Sequence, residues 1–165
     1  MNYFKLFGFI VNYKIDEKIL KNRYKELQKK YHPDRHFNKT NLEKKETSDI
    51  SSMINIAYRT LKNPVERIEH ILDINHSYNK EINIIQDKRF LKKQFSYYEK
   101  LEYFKKNKTS KEEINIFIQF IKYKIEYYFK KIEESLSKKN FSKASNFFYK
   151  LKFLIKIKKE IDKIN

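Results

Sequence analysis

The sequence predicts an all-α fold, an N-terminal helical hairpin followed by a C-terminal three-helix bundle, and three observations carry that prediction. One glycine and two prolines in 165 residues leave few of the turn residues that short-stranded folds need. Apolar residues recur at spacings of three and four over long stretches, the period of a helix with one buried face. Capping signals fall at the ends of those stretches. With 14 Phe and 13 Tyr the chain has bulky side chains enough for a core, although 36% of its residues are charged.

In chain order, Tyr3, Phe4, Leu6 and Phe7 form a short apolar helix that the only glycine, Gly8, can end by adopting a left-handed conformation. Asp16 has the character of an N-cap for a helix running to about Tyr31, in which Leu20, Tyr24, Leu27 and Tyr31 make one buried face. The other faces carry Lys18, Lys21, Arg23, Lys25, Lys29 and Lys30 against Glu17 and Glu26, so the exposed side is basic. Pro33 stops this helix, because it cannot donate to the preceding turn and pushes His32 out of the α region.

After a polar loop, Thr40 and Glu43 have the spacing of a capping box. Ile50, Met53, Ile54, Ala57, Tyr58 and Leu61 then stripe a second long helix, expected to lie antiparallel to the first. Asn63-Pro64 reads as an N-cap with proline at the first helical position, opening a short helix with Val65, Ile68, Ile71 and Leu72 inside.

Residues 76–86 show no helical stripe and suit a linker, which divides the chain into 1–75, the linker, and 87–165. Three helices are expected beyond it: Asp87 to about Lys106, Ser110 to about Ser137, and Ser142 to about Ile164. Ser110 and Glu113 form another capping box. Ile114, Phe117, Ile118, Ile121, Ile125, Tyr128, Phe129, Ile132 and Leu136 mark the middle helix, and Ala144, Phe148, Leu151 and Ile155 the core stripe of the last. Phe153 lies about 200° around from Leu151 and so is expected off the core, where it and the Leu91–Phe95 ridge would build an exposed apolar patch.

The net charge of +17 raises the class of nucleic-acid and anionic-surface binders, since clustered lysines gain affinity by releasing counterions. Lysines here run along almost the whole chain, mixed with Glu, beside an excess of Ile, Asn, Phe and Tyr. That pattern resembles the compositional drift of a genome rich in A and T, and neither a nucleic-acid nor a membrane partner is expected. The absence of cysteine excludes disulfides and thiolate metal sites and is compatible with a reducing cytoplasm. The apolar stretch from Phe4 to Val11 is short, is interrupted by Lys5, and lacks the features of an export signal.

Nothing in the sequence points to catalysis. His32 and His36 have helical i,i+4 spacing, but Pro33 between them breaks the helix that a shared metal would need, and His70 and His76 stand apart. No Gly-rich phosphate loop or nucleophile elbow occurs. Neither an enzyme nor a bound cofactor or metal is expected.

One constellation remains: Lys29-Lys30-Tyr31-His32-Pro33-Asp34 at the end of a basic helix, with a polar loop and an apolar-striped helix behind it. That order of elements resembles a J-domain, the module that stimulates ATP hydrolysis by DnaK-like chaperones. The opening Asn2-Tyr3-Phe4-Lys5-Leu6-Phe7-Gly8 is similar to the start of the HscB family. Leu27-Gln28, Ile54-Asn55, Ala57-Tyr58, Thr60-Leu61, Asn63-Pro64 and Arg67-Ile68-Glu69 extend that likeness. It continues through Phe90-Leu91, Phe95, Glu99 and Lys150-Leu151-Lys152-Phe153-Leu154, over essentially the whole chain. Ile10 and Phe95 depart from the family pattern, as do lysines in the C-terminal half where relatives are more acidic. Its eukaryotic members add a cysteine-containing N-terminal extension, so the bacterial form is the expected comparison.

The resemblance implies a cytoplasmic co-chaperone. His32, Pro33 and Asp34, with Arg23, Lys25, Lys29 and Lys30, would dock on an HscA-type chaperone ATPase and trigger hydrolysis. Leu91, Phe95, Glu99 and Phe153 would hold an IscU-type iron–sulfur scaffold protein for delivery to it.

Overall fold

The computed structural model describes residues 1–31, 41–77, 87–107 and 109–164, of which 41–44 are described in the backbone alone. Among the described residues there are seven helices and no strand, grouped into two compact units, 1–74 and 75–165.

The first unit holds α1 (Tyr3–Leu6), α2 (Glu17–Tyr31), α3 (Asn41–Lys62) and α4 (Pro64–Ile74). The Asn2 side chain starts α1 by accepting from the Phe4 and Lys5 amides, and Phe7 caps its end. Gly8 follows with φ +65°, where a Cβ would meet Arg23 Nη1 at 3.1 Å, so both conformation and space favour glycine. Asp16 caps α2 as its position predicts, accepting from the amides of Lys18 (2.8 Å) and Ile19 (3.0 Å). Asn63 does the same for α4 through Val65 and Glu66, with Pro64 at the first helical position.

Among the described residues, Phe4, Phe7, Leu20, Ile54, Ala57, Leu61, Ile68, Ile71 and Leu72 are the buried apolar side chains of this unit. The α2 face is less uniform than its spacing predicts. Leu20 is buried, but Tyr24, Leu27 and Tyr31 are half-buried. Tyr24 spans the edge of the interface: its ring stacks on Tyr58 at 4.1 Å while its hydroxyl stays at the surface, donating to Asn55 (2.8 Å). Val65 is also half-buried. Thr40, the first residue of the expected capping box, lies outside the described residues.

The second unit holds α5 (Lys88–Lys106), α6 (Lys111–Ser137) and α7 (Phe141–Ile161). Asp87, Ser110 and Asn140 cap them, accepting from the amides of Phe90, Glu113 and Lys143 respectively. α6 ends with Lys139 at φ +54°, where the Lys139 amide reaches the Leu136 carbonyl and Asn140 that of Ser135. That double bond pattern satisfies the last carbonyls of the helix.

Leu101 and Phe104 of α5, Phe117 and Ile121 of α6, and Leu154, Ile157 and Ile161 of α7 form one core cluster. Full burial of each such side chain contributes about 2 kcal/mol. The stripe on α7 corrects one expectation: it continues from Leu151 by a step of three to Leu154, while Ile155 is half-buried.

Candidate functional site

Two surfaces hold the residues singled out in the sequence, one on each unit. On the first, α2 presents Lys25, Lys29 and Lys30 to solvent along its last two turns. A helix C-terminus carries partial negative charge, so cations there are favoured. Lys30 Nζ also lies 5.3 Å from the Tyr31 ring centroid. His32, Pro33 and Asp34 lie outside the described residues, as does His36.

Arg23 belongs to the interior of the unit more than to this basic face. It is half-buried, its guanidinium donates from Nη1 to the Phe7 carbonyl, and its Cζ lies 4.6 Å from the Phe9 ring centroid. It ties the turn after α1 to α2. The helical spacing that grouped it with the lysines is correct, but the segment after α1 folds over its side of the helix.

Sequence reading misses the role of Arg67. This residue is buried, and its Nε, Nη1 and Nη2 donate to the carbonyls of Leu61 (2.6 Å), Tyr13 (2.8 Å) and Lys62 (3.3 Å). Burial lowers its pKa and the nearby Tyr13 and Glu17 raise it. The guanidinium fork thereby joins the α3–α4 corner to the segment before α2. Beyond its place in the Arg67-Ile68-Glu69 likeness, its sequence signal is an arginine inside the apolar stripe of Val65, Ile68 and Ile71. His70 has a comparable part: its Nε2 accepts the Tyr3 amide at 3.1 Å and its ring stacks on Tyr3 at 4.2 Å, which fastens α1 to α4.

On the second unit, Leu91 and Phe95 stand exposed on α5, Phe95 at 61% of its surface, with Glu99 exposed one turn further on. Tyr98, at i+7 from Leu91, completes the row and is itself exposed. The spacing 91, 95, 98 was available in the sequence, but the phenol oxygen made Tyr98 easy to pass over.

Phe153 is where the structure departs from expectation. It is half-buried and packs against the core cluster. Its ring meets Phe90 (5.6 Å, edge-on), Tyr98 (5.8 Å, edge-on) and Tyr97 (6.0 Å, stacked). The angle from Leu151 was right, but the direction it defines faces α5, because a helix in a three-helix bundle buries two faces. Phe153 therefore backs the exposed row and does not lie beside it.

An ion pair secures the same region. Lys150 Nζ donates to Asp87 Oδ2 at 2.7 Å and lies 5.3 Å from the Phe90 ring centroid, joining the start of α5 to α7. The hydrogen bond from Lys150, helped by the Phe90 amide, holds the Asp87 carboxyl below its usual pKa. Among the described residues no group of three or more His, Asp or Glu side chains is placed to hold a metal ion. None of the helices described is long and apolar enough to cross a membrane.

Comparison with known proteins matches both units. The model of the DnaJ domain fits residues 2–70, and that of the HSCB C-terminal oligomerisation domain fits residues 86–162. The co-chaperone protein HscB of Buchnera aphidicola subsp. Acyrthosiphon pisum is 37% identical over 164 residues, covering 99% of this chain and 94% of that one. The HscB homolog of Haemophilus influenzae is 32% identical over 165 residues, with coverage of 99% and 94%. Among solved structures, the chaperone HscB from Vibrio cholerae has a TM-score of 0.91 at 28% identity, covering 99% of this chain and 97% of that one.

Proposed function

Because this chain belongs to the HscB family of J-domain co-chaperones, we propose that it stimulates the ATPase of an HscA-type, DnaK-like chaperone and delivers an IscU-type iron–sulfur scaffold to it. The observation that carries the reading is the pairing in one chain of a DnaJ-type unit with a family-specific C-terminal unit. Hydrolysis belongs to the chaperone, and this chain acts as its trigger and adaptor. We place it in the cytoplasm.

In the first unit, His32, Pro33 and Asp34 are contact residues at the chaperone. Lys25, Lys29 and Lys30 are exposed on the adjoining helix and meet an acidic patch there, which speeds encounter and fixes orientation more than it adds affinity. Arg23 contributes indirectly, by holding the base of α2. The fixed geometry of this unit matters because a trigger must present its contacts on a rigid body, and the Arg67 and His70 bonds supply that rigidity.

In the second unit, Leu91, Phe95 and Glu99 form the scaffold-holding surface. Two apolar side chains one turn apart supply the anchor and the carboxylate supplies direction. Tyr98 extends this surface and Phe153 supports it from behind. The division of labour leaves the trigger on one unit and the client on the other.

The test is a steady-state ATPase assay with the cognate DnaK-like chaperone, the full chain, and scaffold added or omitted. Stimulation by the chain alone, raised further when scaffold is present, is the expected result. A chain that leaves the chaperone's basal rate unchanged under both conditions rules the proposal out.

A further inference from the structure

On the second unit, α6 carries another row of exposed apolar side chains. Ile116, Phe120, Tyr123 and Tyr127 are between 41% and 65% exposed, and their spacings of four, three and four set them on one face. That face is turned about 140° around the helix from the buried Ile121 and Ile132. Phe120 roots the row in the bundle, its ring lying 6.3 Å from both Phe117 and Tyr97.

The row is interleaved with cations. Lys124 Nζ lies 5.6 Å from the Phe120 ring centroid and 5.9 Å from those of Tyr123 and Tyr127, and Lys131 Nζ lies 5.9 Å from Tyr127. At its C-terminal end the row runs into a cavity of about 310 Å³ walled by Tyr127 and Phe147 and edged by Lys131, Lys138 and Lys143. Glu134 is the acidic side chain lining this cavity, and it pairs with Lys131 at 2.9 Å.

We propose that this face of α6 docks an acidic amphipathic helix of a partner protein. Its apolar side chains lie along Ile116, Phe120, Tyr123 and Tyr127, and its carboxylates meet Lys124, Lys138 and Lys143. Charge complementarity selects the occupant, because four lysines against one paired glutamate leave the C-terminal half of the face, from Phe120 onward, cationic. A second copy of this chain would set the same lysines against each other in a self-complementary contact, which like charges oppose. A single-stranded nucleic acid needs open ring faces for its bases, whereas here an ammonium group stands over three of the rings. A straight apolar ridge along one helix suits a second helix laid against it, ridge into groove.

The probe is a synthetic helical peptide of about 18 residues, long enough at 1.5 Å per residue to follow the row, built of Leu and Glu in a 3,4 pattern. A scrambled peptide of the same composition controls for charge alone. Binding to the full chain is read at 0.15 M salt by fluorescence anisotropy and by amide resonance shifts. The patterned peptide is expected to bind about tenfold more tightly than the scrambled one, with shifts concentrated on α6. Phe120→Ser with Tyr127→Ser should remove the difference. Because Phe120 touches the core, Tyr123→Ser with Lys124→Glu serves as a second variant confined to the surface, and it too should lose the preference with an unchanged melt. Equal binding of the two peptides, a preference retained in the surface variant, or shifts on another helix would overturn the proposal. So would tighter binding of a uridine oligonucleotide at the same residues.

Discussion

Arg67 donates a 2.8 Å hydrogen bond to the Tyr13 carbonyl across 54 residues of chain, and that bond is one of three that its guanidinium spends on main-chain carbonyls. The unit that carries the basic helix thus depends on a buried cation at the corner of two other helices. Replacing Arg67 by alanine leaves those carbonyls without their donor, and hydrogen bonds to charged groups are worth about 1.5–3 kcal/mol each without being additive. A destabilisation of about 3 kcal/mol or more is expected for Arg67→Ala in urea unfolding of the full chain. Arg67→Lys should recover part of it, since an ammonium cannot match the three-way fork. Equal stability of the alanine variant and the parent would refute the role.

His70 gives the same unit a pH dependence. Burial lowers its pKa, the N-terminal amine lowers it further, and Asp73 opposes them. Glu66 and Glu69 line the shallow cavity beside it. Because Nε2 accepts the Tyr3 amide, the folded state needs neutral imidazole, and the unfolded chain binds a proton more readily. The contribution is therefore complete above the unfolded pKa of about 6.5 and is lost as pH falls through the lower folded value. Melting temperatures of the parent should drop between about pH 7 and pH 5 more than those of His70→Gln, which keeps an acceptor but does not titrate. Parallel pH profiles would count against the assignment.

Phe95 and Phe153 should separate binding from stability. Phe95 is exposed, so Phe95→Ala should change the melt little while weakening scaffold binding by about 2 kcal/mol if it is a central anchor. Phe153 sits among Phe90, Tyr97 and Tyr98, so Phe153→Ala should cost about 1–3 kcal/mol of stability as well as affinity. Calorimetric titration with scaffold beside thermal melts reads both quantities. A Phe153→Ala variant with an unchanged melt would return that residue to the surface.

His32→Gln should abolish stimulation of the chaperone ATPase with little effect on helix content, since the residue stands at a predicted helix stop. Lys29→Glu with Lys30→Glu should slow association mainly at low ionic strength, because exposed charges are screened beyond about 10 Å at 0.1 M salt. Full stimulation by the histidine variant would remove His32 from the trigger, and a salt-independent loss in the lysine variant would exclude steering.

The caps show how far the sequence reaches. Asp16, Asn63 and Ser110 each cap the helix assigned to them, because capping is a contact between residues two or three apart. Gly8 likewise takes the left-handed backbone after α1. At Asn140 the helix starts a residue before the expected range, since the preceding left-handed Lys139 carries no glycine signal. The candidate surfaces were legible only in part: Leu91 and Phe95 are exposed as their spacing implies, Glu99, named from the resemblance, is exposed beside them, and Tyr98 of the same row is reached only through the structure.

The sequence alone determined the helices, their order and the family, since periodicity, caps and motifs are properties of short stretches of chain. Tertiary structure alone decided which side of a helix counts as inside. Arg23 left the basic face because Phe7 and Phe9 fold against it, Arg67 became a buried clamp because Tyr13 comes to it, and Phe153 went inward because α5 packs where solvent was expected. Burial depends on every neighbour in space, and Phe7, Tyr13 and Phe90 lie 16, 54 and 63 positions away in the chain from Arg23, Arg67 and Phe153.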